Sequence, residues 1–109
     1  RGFLWPYRHW RDRVAVWNFV KDIPLGAGHP SYASLAAVES GLEYLRDKPV
    51  RILWGARDFC FNRHVLERWK VLLPAAEATV YADCGHYLLE DGGRAVRDAV
   101  AEFLSEGAV

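Results

Sequence analysis

Val50-Arg51-Ile52-Leu53-Trp54-Gly55-Ala56-Arg57-Asp58 is a short apolar run that stops at a glycine and delivers a carboxylate three residues later. Val50, Ile52, Leu53 and Trp54 favour a buried strand. Pro49 fits its first position, where a missing N–H removes only one ladder donor. Gly55 allows a sharp turn, so Asp58 is expected in the loop just past the strand's C-terminal end. In open α/β sheets ligands bind along that edge. The pattern recurs at Ala78-Thr79-Val80-Tyr81-Ala82, followed at once by Asp83-Cys84-Gly85-His86. If the two strands lie parallel in one sheet, Asp58 and His86 leave it at the same edge. A carboxylate and an imidazole so held form a base-and-orienter pair.

The 109 residues suffice for one small domain with a modest core. Fourteen basic and fourteen acidic residues cancel to a net charge of +0, which predicts no electrostatic grip on nucleic acid or on an anionic membrane. No apolar run approaches the roughly 18 residues of a membrane helix, and no signal peptide is visible. Cys60 and Cys84 make no disulfide framework, so a reducing cytoplasm is the expected compartment. Five Trp, five Tyr and five Phe are a heavy aromatic load, of the kind that builds a core or lines an apolar pocket. The chain begins at Arg1 without a methionine and enters a Trp-rich segment immediately. It is therefore expected to be part of a longer protein.

Residues 1–7 read as irregular. Trp10, Val14, Trp17 and Val20 recur at near-helical spacing, which predicts a helix over about 8–21 with its tryptophans in a core or lining a substrate pocket. Residues 22–30, with two prolines and two glycines, read as a loop in which His29 is solvated. A second helix is expected from Ser31 or Ser34 to Arg46, with Leu35, Val38, Leu42 and Leu45 as its buried stripe. Gly41 interrupts it, as if another backbone passes close by. Asn62 is a candidate N-cap for a helix from Arg63 to Leu73, which Pro74 ends. Tyr87, Leu88 and Leu89 should pack beneath the His86 turn. Glu90 and Asp91 should complement the dipole of a last helix from Arg94 to Leu104, whose inward face would be Ala95, Val96, Ala99, Val100, Phe103 and Leu104. Residues 105–109 should fray. From Lys48 onward the order is βαβα, which implies a parallel strand pair.

Trp54-Gly55-Ala56-Arg57-Asp58 resembles the last-but-one strand and acid loop of α/β-hydrolase-fold enzymes. Cys84-Gly85-His86-Tyr87-Leu88-Leu89-Glu90-Asp91 resembles their catalytic-histidine loop, a Gly-His followed by an acidic pair. Phe19-Val20-Lys21-Asp22-Ile23-Pro24 and Arg57-Asp58-Phe59-Cys60-Phe61 are similar to phrases of the haloalkane-dehalogenase-like branch, which includes the β-lactone decarboxylases of olefin synthesis. The resemblance implies residues 1–47 as the end of a helical cap and residues 48–109 as the C-terminal βαβα part of the hydrolase core. Gly92-Gly93 departs from it, because relatives usually carry a proline near the start of the last helix, and predicts a looser cap.

By this resemblance Asp58 is the orienting acid and His86 the general base, with Trp10, Trp17 and Phe59 lining the pocket of a small apolar substrate. The nucleophile of that fold precedes acid and histidine, and no Gly-x-Ser-x-Gly or other elbow occurs in these residues. The missing N-terminal part of the fold, or a partner chain, is expected to supply an Asp or a Ser. The cysteines read as buried and inert. Cys60, His64, Cys84 and His86 match no zinc spacing, and neither a metal nor a cofactor is expected. A serine esterase of the same fold, a non-catalytic fragment that keeps the pair as a relic, and a Rossmann-like half domain are the competing readings. The last lacks any phosphate loop.

Overall fold

A computed structural model of the protein describes residues 4–106. The chain divides into two compact units, Arg1–Ser40 and Gly41–Val109. In the first, one 3₁₀ turn (Trp10–Arg13) leads into helix α1 (Val14–Lys21), where the sequence predicts a single helix. The turn is nucleated by the His9 N–H, which donates to Asp12 Oδ2 at 2.8 Å. After α1 the loop closes on His29, which is half-buried rather than solvated. Its Nδ1 accepts the Ser31 N–H at 3.2 Å, which leaves Nε2 to carry the proton and donate to the Lys21 carbonyl at 3.2 Å. The Ser31 hydroxyl donates to Asp22.

Helix α2 (Tyr32–Gly41) follows, then a 3₁₀ turn at Leu42–Leu45. The expected stripe is not buried: Leu35, Val38 and Leu45 are exposed and Leu42 is half-buried. Spacing marks which residues share a face, whereas burial needs a second surface on that face. Gly41 has open space where a Cβ would lie, so no passing backbone accounts for it. Its backbone is ordinary right-handed helix, φ −72° and ψ −13°, and the α-helix gives way to the 3₁₀ turn just beyond it.

The second unit carries the sheet. Strands β1 (Arg51–Gly55) and β2 (Glu77–Tyr81) pair in parallel, with Arg51 opposite Glu77 and Gly55 opposite Tyr81. Helix α3 (Arg63–Leu72) connects them, and its N-terminus is capped by Asn62 Oδ1, which accepts the His64 N–H at 2.9 Å. This small parallel sheet with its helices is compatible with an α/β fragment. Leu66, Leu73, Cys84 and Val96 are the buried hydrophobic residues among those described. They come from α3, the residue that ends it, the β2 loop and the last helix. Burial of each aliphatic side chain contributes about 1.5–3 kcal/mol.

Beyond β2 come a short helix α4 (Leu88–Asp91) and a long α5 (Gly93–Glu106). Tyr87 and Leu89 are exposed and not packed beneath the turn. Of the expected inward face of α5, Val96 is buried and Ala99 and Phe103 are half-buried, while Ala95, Val100 and Leu104 are exposed. Ser105 and Glu106 continue the helix rather than fray; the remaining residues of that expected tail lie outside the described ones. Arg51 explains the extension. Its guanidinium, largely covered, reaches Glu77 at 3.0 Å, Glu102 and Glu106 at 3.4 Å, and stands over the Phe103 ring at 5.6 Å. One cation thus ties β1 and β2 to α5.

Gly92 and Gly93 form a tight corner rather than a loose cap. A Cβ on Gly92 would collide with the Val96 side chain and lie 3.1 Å from the Leu88 carbonyl, and Gly93 has φ +49°. That left-handed conformation costs an ordinary L-residue about 1–2 kcal/mol. Gly55 is confined more severely: a Cβ there would lie 2.6 Å from the Cys84 carbonyl oxygen and closer still to that of Gly85. We expect Gly55→Ala to destabilise the fold by about 1–3 kcal/mol through overpacking and Gly93→Ala by about 1–2 kcal/mol. Both would appear as a lower urea midpoint at unchanged slope, and an unchanged midpoint for Gly55→Ala would contradict the close approach.

Candidate active site

Both strands deliver their loops to one edge. The Ala56 N–H donates to the Tyr81 carbonyl and the Arg57 N–H to the Cys84 carbonyl, each at 2.9 Å, so the first loop is laced to the second by backbone. Arg57 also pairs with Asp83 across the two loops, although both side chains are mostly exposed and such a pair contributes little. It does not pair with Asp58. The Asp58 N–H closes the turn onto the Gly55 carbonyl at 3.2 Å. Its carboxylate then faces inward with a side chain only 11% exposed.

Asp58 Oδ1 accepts the N–H groups of Cys60 at 2.7 Å and Phe61 at 2.8 Å. His86 Nδ1 lies 3.1 Å from both carboxylate oxygens. Burial opposes the ionisation of Asp58, but the N–H groups of Phe61 and Cys60, followed by His86, outweigh it and hold the carboxyl below its ordinary value. An ionised carboxylate has no proton to donate, so Nδ1 carries the hydrogen of the shared bond. With its single hydrogen on Nδ1, an imidazole keeps its lone pair on Nε2. Such an imidazole can take a proton at Nε2, and the resulting cation would face Asp58 directly.

The ring is walled by aromatics. Phe59, Phe61 and Tyr87 have centroids 5.5, 5.4 and 5.6 Å from it. Phe59 is thus brought beside His86 while remaining 81% exposed. Trp10 and Trp17 belong to the first unit and are exposed rather than core. With Arg13, Val14, Val16 and Val20 they line an apolar groove of about 440 Å³. Cys84 is buried as expected, but Cys60, in the turn whose N–H groups bond Asp58, is exposed. No cluster of His, Cys, Asp and Glu among the described residues could hold a metal ion. No helix among them is long and apolar enough to cross a membrane.

Two features escaped the sequence reading. Phe61 meets the imidazole because the Asp58 turn brings it round, and only its place three residues after the acid hints at this. Asp91 ends α4, two residues before α5 begins. Its Oδ2 accepts the Gly85 N–H at 2.7 Å, inside the histidine loop.

No family model matches the chain. Over 105 residues it is 35% identical to a cis-3-alkyl-4-alkyloxetan-2-one decarboxylase of Shewanella oneidensis, an alignment covering 96% of this chain and 33% of that protein. Over 104 residues it is 35% identical to a protein of the same name from Xanthomonas campestris pv. campestris, covering 95% and 35% respectively. The chain therefore spans about a third of the length of the curated relatives it matches.

The Asp58 environment fixes the sign of an acid effect. Its carboxyl titrates lower folded than unfolded, so its ionisation contributes stability that is complete above the unfolded value and lost as pH falls through the folded one. Asp58→Asn keeps an acceptor for the Cys60 and Phe61 N–H groups but cannot ionise. Urea midpoints measured down through the ordinary value of 3.8 should fall more steeply for the wild type than for the variant. Parallel curves would mean that Asp58 carries no such linkage.

Proposed function

We propose that this chain is the acid- and histidine-bearing portion of an α/β-hydrolase-fold enzyme of the haloalkane-dehalogenase-like branch, acting on an alkyl-substituted β-lactone. Asp58 is the orienting acid and His86 the general base. The observation that carries the reading is the Asp58–His86 contact at 3.1 Å, at one end of two parallel strands. The lactone is suggested by the name of the two relatives, at 35% identity along nearly all of this chain.

In this reading the base is ready before substrate arrives. Asp58 selects the tautomer with a free Nε2, and its charge stabilises the imidazolium once that atom takes a proton from water or a nucleophile. Phe59 and Phe61 place apolar rings beside the imidazole, 5.5 and 5.4 Å from it. The groove at Trp10 and Trp17 has the chemistry of an alkyl-chain site. The nucleophile and the oxyanion donors come from polypeptide outside these residues, because no strand-to-helix elbow presents an Asp, Ser or Cys here. The 109 residues alone would accordingly be inactive.

The test uses the longer enzyme that contains these residues and a cis-3,4-dialkyl β-lactone as substrate. His86→Ala should reduce turnover by about a thousandfold or more. With a carboxylate nucleophile, a covalent ester should also accumulate and be visible by intact mass. Undiminished steady-state turnover would remove His86 from the mechanism. Asp58→Asn should lower kcat by about a hundredfold or more with the circular-dichroism spectrum unchanged. A near-normal rate would assign the orienting acid to another residue.

A further inference from the structure

The imidazole of His86 is held by Asp58 at one atom only, and an aromatic wall is a soft constraint on a side chain that is 30% exposed. The backbone that carries it must therefore be fixed by other means. On the strand side the Cys84 carbonyl accepts the Arg57 N–H at 2.9 Å. On the far side the next backbone group, the Gly85 N–H, donates to Asp91 Oδ2 at 2.7 Å. This is a charge-assisted bond, shorter and stronger than a neutral one. Its acceptor is itself anchored, because the Asp91 N–H donates to the Tyr87 carbonyl and α4 ends against the Gly92 corner. The Gly85 Cα faces both partners: a Cβ there would meet Asp91 Oδ2 at 3.3 Å and the Arg57 carbonyl at 3.5 Å.

We propose that Asp91 is a positioning residue for His86, acting through the Gly85 N–H to set the loop that aims the imidazole at Asp58. The inference rests on the reading of His86 as the base, and adds a second carboxylate, beside Asp58, to that site. Asp91 touches neither His86 nor any reacting atom. It holds the Cys84–Gly85 peptide, one residue before the histidine, while Asp58 holds the ring. Without the Asp91 carboxylate, the Cys84–Gly85 peptide keeps only its carbonyl bond to the Arg57 N–H and its own N–H turns to water. The ring then samples orientations in which Nδ1–H no longer faces Asp58.

Imidazole ¹⁵N and Nδ1–H proton spectra of His86 test this in the protein, with the Gly85 amide exchange rate as a second readout. In the wild type Nδ1 should show the protonated pattern and the Gly85 amide should be protected. Asp91→Ala should lose the Nδ1–H resonance, average the two ring nitrogens, and speed Gly85 exchange at least tenfold. Asp91→Asn, which keeps an oxygen acceptor at the same reach, should restore the wild-type pattern. If Asp91→Ala does not fold, Asp91→Ser serves instead, its hydroxyl being one bond too short to reach Gly85. A folded Ala or Ser variant with the wild-type His86 spectrum would overturn the proposal, as would failure of Asn to rescue it. These spectra read the link between Asp91 and His86 whether or not His86 is a base. Failure of the base reading would show separately, as retained turnover in His86→Ala.

Discussion

Gly55 ends β1 with no side chain, and the carbonyls of Cys84 and Gly85 occupy the volume a Cβ would need. The rest of the site depends on that backbone-to-backbone approach. It lets the Arg57 N–H reach the Cys84 carbonyl and brings the loop after one strand onto the loop after the other. An interior packed as densely as a crystal cannot absorb an extra methyl between two carbonyl oxygens without moving one of the chains. Asp58 and His86 thus inherit their separation from a contact that neither of their side chains makes.

On that frame the polar groups divide the labour. Oδ1 of Asp58 is engaged by two backbone donors of its own turn, so the carboxylate stays ionised and its orientation is set before His86 is considered. Oδ2 takes no bond from that turn, and His86 Nδ1 lies 3.1 Å from it and from Oδ1 alike. The distant Arg51 network performs a separate task. It joins the start of both strands to α5 and lies at the opposite end of β1 from the acid loop. Charge at one end of the sheet therefore fastens elements together, while at the other it holds the Asp58 carboxylate against the His86 ring.

Much of this organisation can be read in the residues themselves. The apolar run 50–54 stopped by Gly55, its echo at 78–81, the Asn62 cap and the amphipathic α3 each carry a local signal, and all are realised as elements. The misreadings share a cause. Leu35, Val38, Val100 and Leu104 have helical spacing and remain exposed, because period reports a common face and says nothing of what covers it. Cys60 is solvent-facing in the turn whose N–H groups bond Asp58, which no hydropathy pattern encodes. Gly92-Gly93 reads as a weak helix start, yet the pair makes a corner that only glycine fits, owing to the Val96 side chain and a positive φ.

By itself the sequence determined the order of the two strands and of α1, α2, α3 and α5, and the two residue types that could act as acid and base, since these depend on short-range propensity and on motif chemistry. Tertiary structure alone decided that Asp58 and His86 meet at 3.1 Å, that Phe59 and Phe61 flank the ring, and that Asp91 reaches back to Gly85. These are contacts across chain separations or around turns, set by the strand register and by carbonyls crowding a glycine. Such distances follow from how elements pack, and no window of neighbouring residues contains them.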